Sequence, residues 1–330
     1  MEAKRIEFID LAKGVCILLV VLQHIGLNVN PLGMVSMRMP LYFVLSGLFF
    51  KDYGGLREFV VKKLNRLLLP FMFFYLFGYG IYYFINILFS NAGIYGVFDV
   101  YGILSFVDRR VYFNGPIWFL LALFWANLIF CIVSLNVKKE YVRALLVLLI
   151  ASVGYLLSIY KISLPFMIDV SLSALPFFYF GYVLRTTSIL YPNDYDKYNM
   201  LVAICLYLIS AGIDYFFHCP RIWFHFNTFY GNVFLAELIS MTSVGAVLFL
   251  CKAIGRLPLI SYIGRYSIVF LCTHHLVYRH LFLLFDETKM TDKYIVSVMT
   301  ILICLILVPI CKRYIPFFVA QKDLISYHQR

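Results

Sequence analysis

Asp10, Lys13 and His24 stand out in a stretch that is otherwise apolar, with the run Val15–Leu22 lying between the last two. The eleven-residue step from Lys13 to His24 completes about three helical turns, so both occupy one helix face, roughly 16 Å apart along the axis. Asp10 falls one turn earlier on the same side. An anion, a cation and an imidazole therefore follow one another along one rail. A histidine that titrates near neutrality is the usual general base for activating a hydroxyl, and a histidine also serves as a covalent acyl carrier. Lys13 offers its charge to an anionic partner, and Asp10 is placed to pair with Lys13 and orient the first turn. These three are the candidate catalytic residues.

Other polar groups interrupt apolar runs further along. His274 and His275 lie within 258–280, and counting along each run puts His274 at a depth similar to that of His24. An intramembrane histidine is also commonly a hydrogen-bonded contact between helices. In Lys62-Lys63-Leu-Asn-Arg66, the three-residue step makes Lys63 and Arg66 project together from a helix. That pair suits the phosphates of coenzyme A, and it serves equally as a topology anchor. Asp169, Asp214 and Glu237 fall near the outer ends of three later runs, and Arg38 near the outer end of the second. Such groups hydrogen-bond sugar hydroxyls, although interfacial solvation alone accounts for each.

The elements that position these residues must be membrane helices. The 330-residue chain is 63% hydrophobic and only 14% charged, with a mean hydropathy of +0.87, whereas a soluble domain is about a quarter charged. The apolar runs predict an all-α, polytopic membrane protein with about ten transmembrane helices in one bundle, forming a single domain over 1–330. The expected spans are 10–30, 34–50, 67–90, 117–136, 143–160, 164–184, 198–217, 232–251, 258–280 and 294–312, each near the ~20 residues that cross a bilayer. With the N-terminus inside, eighteen Lys and Arg fall on the cytoplasmic side and seven outside, which predicts cytoplasmic termini. The net charge of +11 is read as this loop asymmetry and not as a nucleic-acid surface. The eight cysteines show no metal-type spacing, and most read as small buried hydrophobes. No cleavable signal peptide is expected, since the first apolar run carries Lys13 and His24. The longest outer loop, 91–116, is rich in Tyr, Phe and Gly and contains Asp108-Arg109-Arg110. It reads either as interfacial helices or as a simple aromatic belt.

The segment Arg5…Asp10-x-x-Lys13-Gly-x-x-Ile17…Val20-Val21…His24 resembles the opening signature of the acyltransferase-3 superfamily of membrane O-acyltransferases, with Lys13 where many members carry Arg. Met39-Pro40-Leu-Tyr-Phe43-Val-Leu-Ser46-Gly47, Lys63-x-x-Arg66…Pro70, Pro116-Ile-Trp118-Phe119-Leu120, Pro176-Phe-Phe178-Tyr-Phe-Gly181 and Tyr266-Ser267…His274 are similar to further family segments, in order along the chain. The compact length is most similar to the fucose 4-O-acetylase-like branch.

The resemblance implies a bacterial cytoplasmic-membrane enzyme that takes an acyl group from acetyl-CoA on the cytoplasmic side, with no metal. The acceptor would be a hydroxyl of a cell-surface polysaccharide or its lipid-linked precursor. His24 would be catalytic, and Lys13, Lys63 and Arg66 would serve the donor. The candidate acceptor-binding residues are Arg38, Trp118, Glu237 and His274. The rival reading is a glycan or lipid transporter or flippase. It predicts inverted repeats and broken helices in matching halves, and the sequence shows no internal repeat.

Overall fold

The computed structural model describes residues 6–27, 36–88, 103–218 and 220–326. Arg5, Cys219, the span ends at 28–30, 34–35 and 89–90, and the outer-loop residues 91–102 lie outside this range.

The chain folds into helices α1 (Glu7–His24), α2 (Arg38–Leu48), α3 (Leu56–Lys63), α4 (Leu69–Leu88), α5 (Trp118–Asn136), α6 (Glu140–Ile159), α7 (Ile168–Ser173), α8 (Leu175–Leu184), α9 (Asn199–Phe216), α10 (Val233–Ile254), α11 (Pro258–Arg265), α12 (Ser267–Leu281) and α13 (Met290–Tyr314). The β structure among the described residues is one hairpin, β1 (Arg221–Trp223) and β2 (Thr228–Tyr230), with Arg221 opposite Tyr230 and Trp223 opposite Thr228. The fold is all-α and polytopic.

Each of the ten expected segments is helical, but ten spans is not what length and composition support. Six helical stretches among the described residues are long and apolar enough to cross a bilayer, and α7–α8, bent by 54° at its break, makes a seventh if taken as one span. The others fall short for physical reasons. Helix α1 carries Glu7, Asp10 and Lys13, and α2 has only 11 residues. Tyr266 divides the ninth segment into pieces of 8 and 15 residues. Helix α1 is mostly buried, whereas α6 and α9 bury few of their side chains and leave many apolar ones exposed, as lipid-facing helices do.

Local sequence explains the irregular points. Pro70 has no N–H for the carbonyl four residues back, and the ladder just before it widens into a π turn over Leu64–Leu68. Asn65, fully buried in that turn, accepts from the amides of Leu324 and Ile325 at 2.8 and 2.9 Å and so pins the segment after α13. Pro176, in the first turn of α8, accompanies the bend from α7.

Close helix crossings hold the interior. Gly14 of α1 and Gly264 of α11 meet so closely that a Cβ on Gly14 would overlap the Ile260 carbonyl, and one on Gly264 the Asp10 carbonyl. Gly47 of α2 and Gly181 of α8 make a second such contact, against the carbonyls of Phe178 and Val44. Small residues at a crossing are how membrane helices gain packing energy without a hydrophobic driving force. Ser46 of α2 and Asn127 of α5 add a reciprocal hydrogen bond at 2.9–3.0 Å.

Substituting Gly264 with Leu is expected to cost at least ~1–3 kcal/mol through overpacking, read as a lower unfolding temperature in detergent. Gly212→Ala serves as the control. Its Cβ meets open space, and its expected effect is neutral to stabilising by ~0.5–1 kcal/mol.

Candidate active site

The Gly14–Gly264 crossing sets the register of two helical segments. His24 lies ten residues beyond Gly14 on α1, and His274 lies ten residues beyond Gly264 on α12. Their rings meet with centroids 5.4 Å apart, in agreement with the similar depth expected from the sequence. His274 is fully buried, with Nδ1 2.6 Å from the Phe270 carbonyl oxygen. That contact requires the hydrogen on Nδ1 and leaves Nε2 as the acceptor. Among the described residues Nε2 has no hydrogen-bond partner. His24, by contrast, is exposed, and the surface it exposes faces a cavity.

This cavity, of about 850 Å³, is lined by His24, Arg38, Trp118 and the hairpin residues Arg221, Trp223 and His225, among others. Its wall comes from the C-terminal end of α1, the N-terminal ends of α2 and α5, and the β-hairpin. Arg38 opens α2 and is buried, and its carbonyl accepts from the Cys16 thiol at 3.1 Å, which ties α2 to α1. Pro116 precedes α5 in a tight turn that brings Trp118 to the cavity. Trp118 meets the edge of His225 at 5.2 Å.

The hairpin is fastened from below. Phe224 packs on Phe43 and Phe177 at 6.1 and 5.8 Å. Asn227 takes the left-handed conformation that lets the chain turn (φ 47°), and its side-chain amide donates to the Gly154 carbonyl at 3.1 Å. Arg109 donates to the His225 carbonyl at 3.3 Å and forms an ion pair with Asp169, both side chains being buried.

Of the residues singled out from the sequence, the structure brings together His24, Arg38, Trp118 and His274. Lys13 sits near the other end of α1 with Asp10, at 3.8 Å, and Asp10 also faces Arg265 at 3.6 Å. Glu237 lies on α10 away from the cavity lining and accepts from the Tyr155 hydroxyl at 2.9 Å. Asp169 is engaged by Arg109, and Asp214 does not line the cavity. At the junction of α3 and α4 the π turn changes the expected projection of the cations. Lys62 and Arg66 converge on Asp323 of the C-terminal segment, at 2.7 and 3.3 Å, and Arg66 also donates to the Ala320 carbonyl. Lys63 instead lies over the Phe59 ring, 5.2 Å from its centroid.

Sequence reasoning passed over Arg221, Trp223 and His225. Their signal was a short loop between two apolar runs, basic and dense in aromatics, with a histidine at its centre.

The acyltransferase domain family matches residues 6–311. The chain belongs to the acyltransferase-3 family. It is a multi-pass membrane acyltransferase. The match takes in α1, the cavity and both histidines of this acyltransferase. No curated protein and no solved structure matches it.

Truncating Arg109 to Ala leaves the Asp169 carboxylate buried without its cation. The expected loss is about 3–5 kcal/mol of stability, measured by thermal unfolding. The less perturbing Asp169→Asn variant should lose less. Equal stability of Arg109→Ala and the parent protein would show that the pair does not hold the hairpin.

Proposed function

We propose that this acyltransferase moves an acetyl group from acetyl-CoA to a hydroxyl of a cell-surface polysaccharide or its lipid-linked precursor, with His24 as general base. The observation that carries the reading is the position of His24. Of the paired histidines it is the one exposed to a cavity large enough for a sugar, beside Trp118 and Arg38.

In this scheme the His24 imidazole takes the proton of the acceptor hydroxyl as the oxygen bonds to the thioester carbonyl carbon. The carbon–sulfur bond then breaks, and the imidazolium returns a proton to the departing thiolate. His274 positions His24 from behind, its own ring fixed by the Phe270 carbonyl. Donor phosphates meet cations on the cytoplasmic side, with the acyl arm lying along α1 from Lys13 toward His24. Support for that direction comes from the unbroken helix between them, which spans roughly 16 Å. Asp10, between Lys13 and Arg265, keeps the first turns of α1 in register with α11. We place Lys63 and Arg66 on the donor side as well. Both sit near the start of the helix that runs into α4, where Lys62 and Arg66 hold the C-terminal segment through Asp323. The enzyme is proposed to lie in a bacterial cytoplasmic membrane with both termini inside, in keeping with the excess of Lys and Arg in the loops assigned to that side.

His24→Ala is expected to lower acyl transfer by at least ~10²–10⁴-fold, with membrane content and unfolding temperature unchanged. Full transfer by that variant would end the scheme. Lys63→Ala and Arg66→Ala are expected to raise the KM for acetyl-CoA by about tenfold with little change in kcat. Asp323→Ala is the matched control, because it removes the carboxylate partner of Lys62 and Arg66 and keeps the cations. A KM that rises only in the Asp323 variant would show that the cluster serves the segment and not the donor.

A further inference from the structure

The charge of the cavity wall is one-sided. Among the described residues its lining includes the cations Arg38 and Arg221, the imidazoles of His24, His218 and His225, and no Asp or Glu. The carboxylate beneath the hairpin, Asp169, is taken up by Arg109. Arg221 is exposed and makes no ion pair among the described residues. The N-termini of α2 and α5, helices of 11 and 19 residues, both open on this space. Each adds the partial positive charge of a helix N-terminal end to that of the side chains. A low-dielectric wall focuses such a field on whatever enters. Hydroxyls alone do not call for it, since a neutral sugar is held by balanced donors and acceptors.

Aromatic faces complete the wall. Trp223 stacks on Tyr230 with centroids 6.4 Å apart and planes 29° apart, and both side chains are about half exposed at the cavity. Arg221 is the register partner of Tyr230 across the hairpin, so cation and ring platform sit side by side. An exposed indole beside a guanidinium fits a sugar ring whose anionic substituent lies next to the face that stacks.

We propose that the acceptor is an anionic glycoside, with its charged group bound at Arg221 and Arg38 and its ring on Trp223. The shared chemistry is a sugar bearing a carboxylate or a phosphate. The first is the acid group of a uronic-acid residue, and the second is the phosphate that joins a sugar to a lipid carrier. Arginine recognises both bidentately. The inference rests on the acyl-transfer reading for the term "acceptor" but not for the binding itself.

Three probes test it on the full-length protein in detergent or lipid nanodiscs, with affinity read from tryptophan fluorescence or calorimetry. They are methyl β-glucuronide, glucose 1-phosphate and methyl β-glucoside. At least one anionic probe is expected to bind about tenfold or more tightly than the neutral glucoside, and the tighter of the two identifies carboxylate or phosphate. Arg221→Gln should remove most of that advantage while leaving glucoside affinity unchanged, and Arg221→Lys should restore part of it. Equal affinity for all three probes would overturn the proposal. So would an advantage that survives Arg221→Gln in a variant that melts like the parent, or displacement of the anionic probe by acetyl-CoA, which would make these cations the donor site. Binding is read without turnover. A protein that binds the anionic probe with the stated preference but transfers no acyl group would therefore refute the proposed function and leave the anionic pocket standing.

Discussion

The contact between Gly14 and Gly264 governs the interior of this protein. It lets α1 and α11 approach until backbone touches backbone, which larger side chains would prevent. From that contact both segments run on for ten residues, to His24 and His274. Equal steps of about 1.5 Å per residue carry the two imidazoles to one level, where they meet at 5.4 Å. The break at Tyr266 leaves this register intact, since Tyr266 is the only residue between α11 and α12. A displacement at the glycines would move the histidines apart by as much, because a packed helix pair transmits a shift along its length.

Around this pair, polar groups separate into two sets. Within a bilayer, each group must find its partner inside the protein or at a water-filled cavity. Ser46 and Asn127 satisfy each other, Asn114 donates to the Cys272 carbonyl at 2.7 Å, Tyr155 serves Glu237, and Arg109 serves Asp169. These groups are spent on holding α2, α5, α6, α10 and the hairpin together. His24, Arg221 and His225 turn toward the cavity instead. The division explains why spacing alone misjudges acidic residues near span ends. Glu237 and Asp169 both sit where the sequence suggests a sugar-binding carboxylate, yet each already has a partner from a different helix or loop.

The helical architecture was legible because apolar runs of span length are written directly into the chain, and helices occupy all ten of them. The number of true spans was not, because an apolar run does not reveal whether a helix faces lipid or is sheltered by other helices. Helix α1, with three charges in its first two turns, and the 11-residue α2 are of the sheltered kind. The Lys13–His24 rail and the depth of His274 follow from helical periodicity and were readable. The Arg109–Asp169 pair and the union of Lys62 and Arg66 with Asp323 join residues 60 and some 260 positions apart, beyond the reach of any local pattern. The hairpin escaped for a different reason. Its strands have three residues each, too few to alternate recognisably, so its histidine and arginine looked like loop polarity.

The two ends of α1 differ in how their cations are balanced. At the Glu7 end, Arg256 and Arg265 face Glu7, Arg265 and Lys13 face Asp10, and at the α3–α4 junction Lys62 and Arg66 face Asp323. An anionic ligand entering there competes with a protein carboxylate, so its net gain is the difference between two similar ion pairs. The cations named at that end are therefore already balanced by protein carboxylates. In the cavity at the other end no carboxylate lines the wall among the described residues. An anion meeting the exposed Arg221 there displaces no protein carboxylate among the described residues. The same helix thus joins a charge-balanced end to a cavity where Arg221 makes no ion pair among the described residues.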